Sequence, residues 1–268
     1  MYFHEKFDVY REYVLTLITP LYDKIEKEGF EKKFDDNYDD YRLRELIIFR
    51  SCQLGYEPCI RTSKEKFIEL QANCSRNDQI LSDIECNQIP FYLRKQVYTT
   101  MVQQGNEKDF DFLFEKWKKE RVIVERERLF IAMCATENKL QYQKIWLEVL
   151  MKKDRENIPE KIFACSKHLN KNCNALDFFI DRPKEIKKSL PRSIYKLFQT
   201  LISRGISTDQ QIEQVETMRS IFNDTFAFEE VRIFQTRKKH SEYWRNQIGN
   251  IIVENANQTI HEIRKNMG

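Results

Sequence analysis

The sequence predicts an all-α fold in which short helices pack as antiparallel pairs. Six glycines and six prolines make up only twelve of the 268 residues, well below the usual share of about 12% for these two residues, so turns are few and the elements are long. Apolar residues recur at helical spacing, as at Tyr13, Leu17, Leu21 and Ile25. No stretch alternates apolar and polar residues as a strand would, and no Asn-Gly or Asp-Gly pair marks a hairpin.

Local signals place seven helices in the first half of the chain. Gly55 and Gly105 follow the second and the fourth of them, as expected of a residue that often caps helix ends. Pro90 is expected to open the fourth helix, and the polar segment 73–88 before it is interpreted as an insertion rather than a domain boundary. In chain order the predicted helices cover about 5–28, 39–54, 60–72, 90–104, 107–119, 123–136 and 139–152.

The same spacing continues through the second half. Thr208, followed by Gln211 three residues later, resembles a capping box at a helix start. Helices are predicted at about 159–169, 173–180, 183–189, 192–204 and 208–222, followed by a long polar segment at about 227–264. Helix pairs of roughly 30–40 residues without a flexible linker predict a single domain over residues 1–268, a superhelical solenoid in which each pair buries its apolar face against the next.

Composition and charge argue against several classes of protein. Lys and Arg number 45 and Asp and Glu number 42, and this nearly balanced charge is spread along the chain, which argues against nucleic-acid binding. No stretch approaches the roughly 18 apolar residues of a membrane span. The N-terminal segment lacks the basic start and the apolar run of a signal peptide.

Catalytic and metal-binding patterns are weak, and each has a simpler alternative. Residues 261–262, His-Glu, match the start of the His-Glu-x-x-His zinc motif, but Lys265 stands where the second His belongs, so a solvated helix end is favoured. Cys165 and His168 are close only along one predicted helix, and a buried or disulfide-bonded Cys is the favoured interpretation. The acidic residues 35–40 lack EF-hand spacing and are expected to form a solvated loop and a helix cap.

Seven cysteines and three Asn-x-Ser/Thr triplets bear on the compartment. The absence of a Cys-x-x-Cys pair removes support for a zinc ribbon or a thioredoxin-like site. The spacing suggests three close disulfides with Cys134 left over, and the triplets would allow glycosylation in a secretory setting. The suggested pairs are Cys52 with Cys59, Cys74 with Cys86 and Cys165 with Cys173, and the glycosylation candidates are Asn73, Asn223 and Asn257.

Several segments, in the same order along the chain, resemble the C-terminal domain of gluzincin zinc aminopeptidases, the family of aminopeptidase N and the endoplasmic-reticulum aminopeptidases. Residues 89–98, IPFYLRKQVY, are similar to the family pattern Ile-Pro-x-x-Leu-Arg-x-x-Val-Tyr. Residues 110–117 resemble its acidic-aromatic helix, and residues 127–135 resemble its Glu-x-x-Arg-Leu…Ala-Leu-Ala-Cys helix. Upstream, residues 50–59 are similar to its Ala-Cys-x-x-Gly-x-x-x-Cys loop, and the whole resemblance covers about residues 8–255.

This resemblance implies an all-α domain of HEAT-like or armadillo-like helix pairs that forms a concave bowl over a separate catalytic domain. It also implies a disulfide between Cys52 and Cys59. Family members pair a Cys after the Val-Tyr pattern with the Cys of the Ala-Cys helix, but Thr99 follows Tyr98 here, so Cys134 is expected to lack a partner. The family further implies an extracellular or secretory-lumen location, with a parent protein that can be membrane-anchored.

The function that the resemblance implies is that of an accessory domain. In the family the bowl closes the chamber over the zinc site and contacts the distal part of peptide substrates. The zinc motif His-Glu-x-x-His and the exopeptidase motif Gly-x-Met-Glu-Asn belong to the catalytic domain, and neither occurs in this sequence. We therefore expect no catalytic residue, metal or cofactor in this chain, which would be an excised domain or a naturally short homologue.

The expected partners are the catalytic domain of the same polypeptide and a peptide or protein ligand on the concave face. Arg94 is one candidate for contact with a peptide carboxylate, and the favoured alternative is that it pairs structurally between neighbouring helices. Two other functions stay open. A catalytically inactive homologue could use the bowl as a protein-binding module, or the chain could be a cytosolic helical scaffold whose likeness to the family is coincidental.

Overall fold

The computed structural model describes residues 7–30, 37–76, 78–151 and 248–267, with single positions between 161 and 243. Every regular element in this part of the chain is an α-helix, which confirms the predicted all-α class. None of these described helices is both long enough and apolar enough to cross a membrane. They are α1 (Phe7–Glu28), α2 (Tyr38–Gln53), α3 (Glu57–Asn73), α4 (Arg94–Gln104), α5 (Glu107–Lys119), α6 (Ile123–Met133), α7 (Lys139–Met151) and α8 (Gly249–Met267).

Local signals set several helix ends where the sequence predicts them. α2 begins at a capping box in which Asn37 and Asp40 each accept a hydrogen bond from the other's backbone N–H. Gly55 follows the end of α2 with a φ of 78°, a left-handed conformation that glycine adopts without strain. Gly105 ends α4 for a different reason, because a Cβ at this position would lie 2.4 Å from the carbonyl oxygen of Met101.

The segment that leads into α4 differs from the prediction. The helix begins at Arg94 rather than at Pro90, and the residues between them form a turn in which the Leu93 N–H donates to the Pro90 carbonyl at 2.8 Å. The preceding segment, interpreted as a polar insertion, contains the fully buried Leu81 and a buried disulfide. This stretch is therefore part of the core despite its irregular backbone.

The residues group into two compact units, Met1–Leu129 with Tyr243–Gly268, and Phe130–Glu242. In the first unit, α1 packs against α2 and α8, and α4 packs against α2, α3 and α5. Apart from single positions, the predicted helices between 159 and 222 and the part of the segment 227–264 that precedes residue 248 lie outside the described residues. The single domain and the superhelical bowl stay predictions.

Each unit has an aromatic core. In the first unit, α5 places Phe110, Leu113, Phe114 and Trp117 on one face at helical spacing, and all four are buried. In the second unit, Trp146 is fully buried and its ring contacts those of three other aromatic residues. These are Phe130, Tyr142 and Phe178.

Three disulfide bonds connect described residues. Two of them, Cys52–Cys59 and Cys74–Cys86, join pairs that the spacing suggests. The third joins Cys134 at the end of α6 to Cys165, with Cα atoms 4.9 Å apart. The predictions that Cys134 lacks a partner and that Cys165 pairs with Cys173 are therefore wrong, because the fold brings together two cysteines 31 residues apart. Cys173 lies outside the described residues.

Candidate functional site

A cavity of about 170 Å³ lies between α2 and the start of α4. Residues 42, 45, 46 and 49 of α2 share one helix face, and the turn before α4 supplies two further wall residues. An engineered cavity of about 150 Å³ binds benzene, so the space here suits one apolar side chain. The lining residues are Arg42, Glu45, Leu46, Ile48, Phe49, Tyr92, Leu93, Lys95 and Gln96.

The wall of the cavity carries an excess of positive charge. Arg42 and Lys95 are cations and Glu45 is the one carboxylate of the lining, with Arg42 Nη1 lying 2.6 Å from Glu45 Oε2. Lys95 Nζ lies 5.8 Å from the centre of the Phe49 ring, which is a cation–π distance. An anionic group beside the cavity therefore finds complementary charge.

Gln96 forms part of the cavity wall and is itself buried, with 6% of its surface exposed. Its Nε2 donates to Thr100 Oγ1 at 2.9 Å, one helical turn further along α4. Its Oε1 accepts no hydrogen bond from any described residue, although about 90% of buried polar groups in proteins are paired. Gln96 also borders a second space of about 10 Å³, next to Ser63 and Val97.

Arg94, the candidate for contact with a peptide carboxylate, is buried and does not line the cavity, with only 5% of its surface exposed. Its guanidinium donates to the carbonyl oxygens of Leu81, Asn87 and Ile89 at 2.9, 2.9 and 3.0 Å. Its Nη1 lies 3.4 Å from Glu125 Oε2 on α6. Arg94 therefore fixes the segment before α4 against α6, which is the structural role that the sequence favours.

Glu125 is the centre of this buried network. Its carboxylate is 1% exposed and accepts hydrogen bonds from Tyr98 Oη at 2.7 Å and from Arg128 Nη1 at 2.8 Å. Burial, followed by the negative charge of Glu125, raises the pKa of Tyr98 well above its ordinary value, so the hydroxyl stays a neutral donor. The Arg128 guanidinium lies 3.4 Å from the centre of the Phe91 ring, so the network ends at a half-exposed aromatic side chain.

The remaining candidates from the sequence do not line the cavity. Asn73, the last residue of α3, is exposed, and so is Asn257 in α8, whereas Asn223 lies outside the described residues. His261 and Lys265 are exposed in α8. Across the described ranges, no three His, Cys, Asp or Glu side chains gather closely enough to hold a metal ion.

Comparison with known proteins identifies relatives of this chain. The model of a family described as the ERAP1-like C-terminal domain matches residues 1–239. The chain is also similar to Aminopeptidase N of Haemonchus contortus, with 22% identity over 216 residues. That alignment covers 77% of this chain and 22% of the relative, so the chain spans about a fifth of the length of the curated relative it matches. All of the cavity-lining residues fall within the range that the family model matches.

Proposed function

The chain belongs to the family of ERAP1-like C-terminal domains, and from this premise we propose that it is the C-terminal accessory domain of a zinc aminopeptidase. In this role it closes the chamber over a separate catalytic domain and contacts the distal part of the peptide substrate. The chemical step takes place in the other domain. The chain itself contributes a binding surface.

The observation that carries this proposal is the cavity between α2 and α4. Away from the bond that is cut, a peptide offers apolar side chains, backbone amides and a terminal carboxylate. The cavity has room for one apolar side chain, and the positive wall complements a carboxylate. Because Arg94 fixes the segment that leads to the wall residues Tyr92 and Leu93, the cavity is formed before a ligand arrives.

Zinc is assigned to the catalytic domain alone. The sequence contains no His-Glu-x-x-His motif, and the described residues supply no set of three donors, so they do not fit a catalytic zinc site. The three disulfides support an extracellular or secretory-lumen location, where such bonds persist. The exposed Asn73 and Asn257 are then available for glycosylation.

A hydrolysis assay tests the accessory role. The purified chain, incubated with leucine 7-amido-4-methylcoumarin with and without added zinc, should release no fluorophore. Release that a chelator abolishes would contradict the assignment of catalysis to another domain.

A binding measurement tests the cavity. The probe is a fluorescein-labelled alanine/glycine peptide that carries one central leucine and a free C-terminal carboxylate. Leu46→Asp places a charge in the apolar wall and should weaken binding at least tenfold, measured by fluorescence anisotropy. Leu21→Asp is the matched control, because Leu21 is similarly exposed but lies on α1 and does not line the cavity. Equal binding by the two variants would reject the cavity as the peptide site.

A further inference from the structure

We propose that Asn73 is a glycosylation site whose use depends on the Cys74–Cys86 disulfide, because the glycan has to be attached before this bond closes. Asn73, Cys74 and Ser75 form an Asn-x-Ser triplet, the acceptor of glycans in secreted proteins, and its middle residue is one of the two bonded cysteines. The inference rests on the secretory location proposed above. It adds an order of events, in which disulfide formation ends the period when Asn73 can be modified.

The folded chain holds this triplet at a helix end by backbone hydrogen bonds. Asn73 is the last residue of α3, and the Cys74 N–H that follows it donates to the Leu70 carbonyl at 2.8 Å. The Asn73 carbonyl accepts a hydrogen bond from Gln79 Nε2 at 3.3 Å, and Gln79 Oε1 accepts one from the Arg76 N–H at 3.0 Å. The Gln79 side chain therefore bridges the two ends of the segment that contains the triplet.

Buried groups hold the same segment in place. Cys74 and Cys86 are 0% and 3% exposed, so their disulfide ties the middle of the triplet to the core. Lys116 on α5 is 5% exposed, and its Nζ donates to the carbonyl oxygens of Arg76 and Gln79 at 2.8 and 3.0 Å. The exposed Asn73 side chain leaves room for an attached glycan, but its backbone cannot be drawn out as a free strand without breaking these contacts.

Glycan transfer and disulfide formation use different atoms and compete through the conformation of the chain. In the transfer, Asn73 Nδ2 forms a bond to the anomeric carbon of an oligosaccharide carried on a polyprenyl diphosphate, and the amide loses one proton. The bond from that carbon to the diphosphate breaks, and its electron pair leaves with the diphosphate. In disulfide formation, the thiols of Cys74 and Cys86 give two electrons and two protons to the disulfide of an oxidoreductase, which becomes a dithiol.

The transferase has to reach the Asn73 amide and the Ser75 hydroxyl together, so it requires the triplet as a free strand. Cys86 follows Asn73 by thirteen residues, a length that a ribosome synthesises in about 1–3 s. Disulfide formation takes seconds or longer, depending on the oxidant and the isomerase. Because the triplet is open only for a limited period on this timescale, Asn73 is expected to be glycosylated in part of the molecules.

The substitution Cys86→Ser tests this order, because it removes the disulfide and leaves the triplet unchanged. The chain is directed into the secretory pathway of cultured mammalian cells by an added signal peptide, and the total cellular pool is digested with trypsin. Enzymatic glycan release in heavy-oxygen water and mass spectrometry of peptide 67–76 then give the ratio of modified to unmodified Asn73. Cys86→Ser should raise this ratio about threefold or more. Cys59→Ser, which removes the first disulfide of the chain, is the matched control and should leave the ratio unchanged.

A reductant and a second triplet separate the disulfide from other effects of the substitution. Brief treatment of the cells with dithiothreitol should raise the ratio of the wild-type chain to that of Cys86→Ser and should not raise it further in the variant. The ratio at Asn257, whose triplet contains no cysteine, is read from peptide 246–264 and should be the same for all three chains.

Three results would overturn the proposal: equal ratios at Asn73 for the wild-type chain and Cys86→Ser, an equal rise for Cys59→Ser, or a parallel rise at Asn257. The first would show that the disulfide does not limit the transfer, and the other two would show that slower folding of the whole chain is responsible. Because the signal peptide supplies the location, each of these results counts against the proposed order of events and not against the secretory location.

Discussion

At the scale of single residues, Glu125 shows how one buried charge organises its surroundings. A carboxylate that is 1% exposed is costly unless it is paired, and Arg94, Arg128 and Tyr98 each place a nitrogen or hydroxyl oxygen within 3.4 Å of it. Arg94 directs its other donors to three backbone carbonyls of the segment before α4. The same guanidinium therefore neutralises a charge on α6 and holds the backbone next to the cavity.

Replacing Arg94 with methionine tests this double role. Arg94→Met removes the donor to the carbonyls of Asn87 and Ile89 and one of the two guanidinium partners of Glu125, while the Leu81 carbonyl keeps its hydrogen bond from Asn87 Nδ2. The free energy of unfolding should therefore fall by about 3 kcal/mol in a urea titration. Arg42→Met is the control, because Arg42 forms an exposed ion pair with Glu45 whose loss should cost no more than about 1 kcal/mol. A loss of less than about 1 kcal/mol for Arg94→Met would contradict the role assigned to it.

At the scale of elements, α5 shows how a local pattern and a tertiary contact reinforce each other. The Asn106 side chain accepts hydrogen bonds from the backbone of Lys108 and Asp109, and the Asp109 carboxylate accepts one from the Asn106 N–H. Asp109 also accepts a hydrogen bond from Gln71 on α3 at 3.0 Å. The start of α5 is therefore fixed by its own sequence and by a neighbouring helix.

Removal of the α5 cap should have a measurable cost. Asn106→Ala leaves the first-turn N–H groups without their acceptor and should lower the free energy of unfolding by about 1 kcal/mol. Asn106→Ser keeps a side-chain oxygen at the same position and should recover most of this loss. Thermal unfolding followed by circular dichroism measures both changes. Equal stability of the alanine and serine variants would show that the side-chain cap does not contribute to the free energy of unfolding.

The segment before α4 shows where sequence reasoning about elements fails. Its polar composition predicts a surface insertion, and Pro90 predicts a helix start. The structure instead buries Leu81 and begins the helix at Arg94. The conformation depends on the hydrogen bonds from Arg94 to the carbonyls of Leu81, Asn87 and Ile89, and neither polar composition nor helical periodicity indicates these bonds.

At the scale of the whole molecule, the disulfides make a prediction for peptide mapping. After alkylation and tryptic digestion without reductant, peptide 129–139, which contains Cys134, should be linked to peptide 162–167, which contains Cys165. Because six of the seven cysteines are then bonded, the alkylated residue should be Cys173. A link between peptides 162–167 and 172–184 would instead support the pairing that the spacing suggests.

The candidate site was only partly predictable. The sequence offers Arg94 as a candidate for peptide contact but favours structural pairing between neighbouring helices, and the structure shows such pairing with Glu125 on α6. The cavity beside it is not predictable from the sequence, because its wall combines one face of α2 with residues 92–96, and these two segments are distant along the chain. The spacing of Glu125 and Arg128 at i and i+3 was the one local signal that could have indicated the network.

The sequence by itself determined the all-α class, most helix ends in the first half, the aromatic core of α5 and the family, because helical periodicity, caps and ordered motifs are local properties of the chain. Only the tertiary structure decided the partner of Cys134, the burial of Leu81 and the unpaired oxygen of Gln96. Each of these depends on which segments meet across long sequence separations. Packing and desolvation decide which distant segments meet, and local sequence patterns contain no information about either.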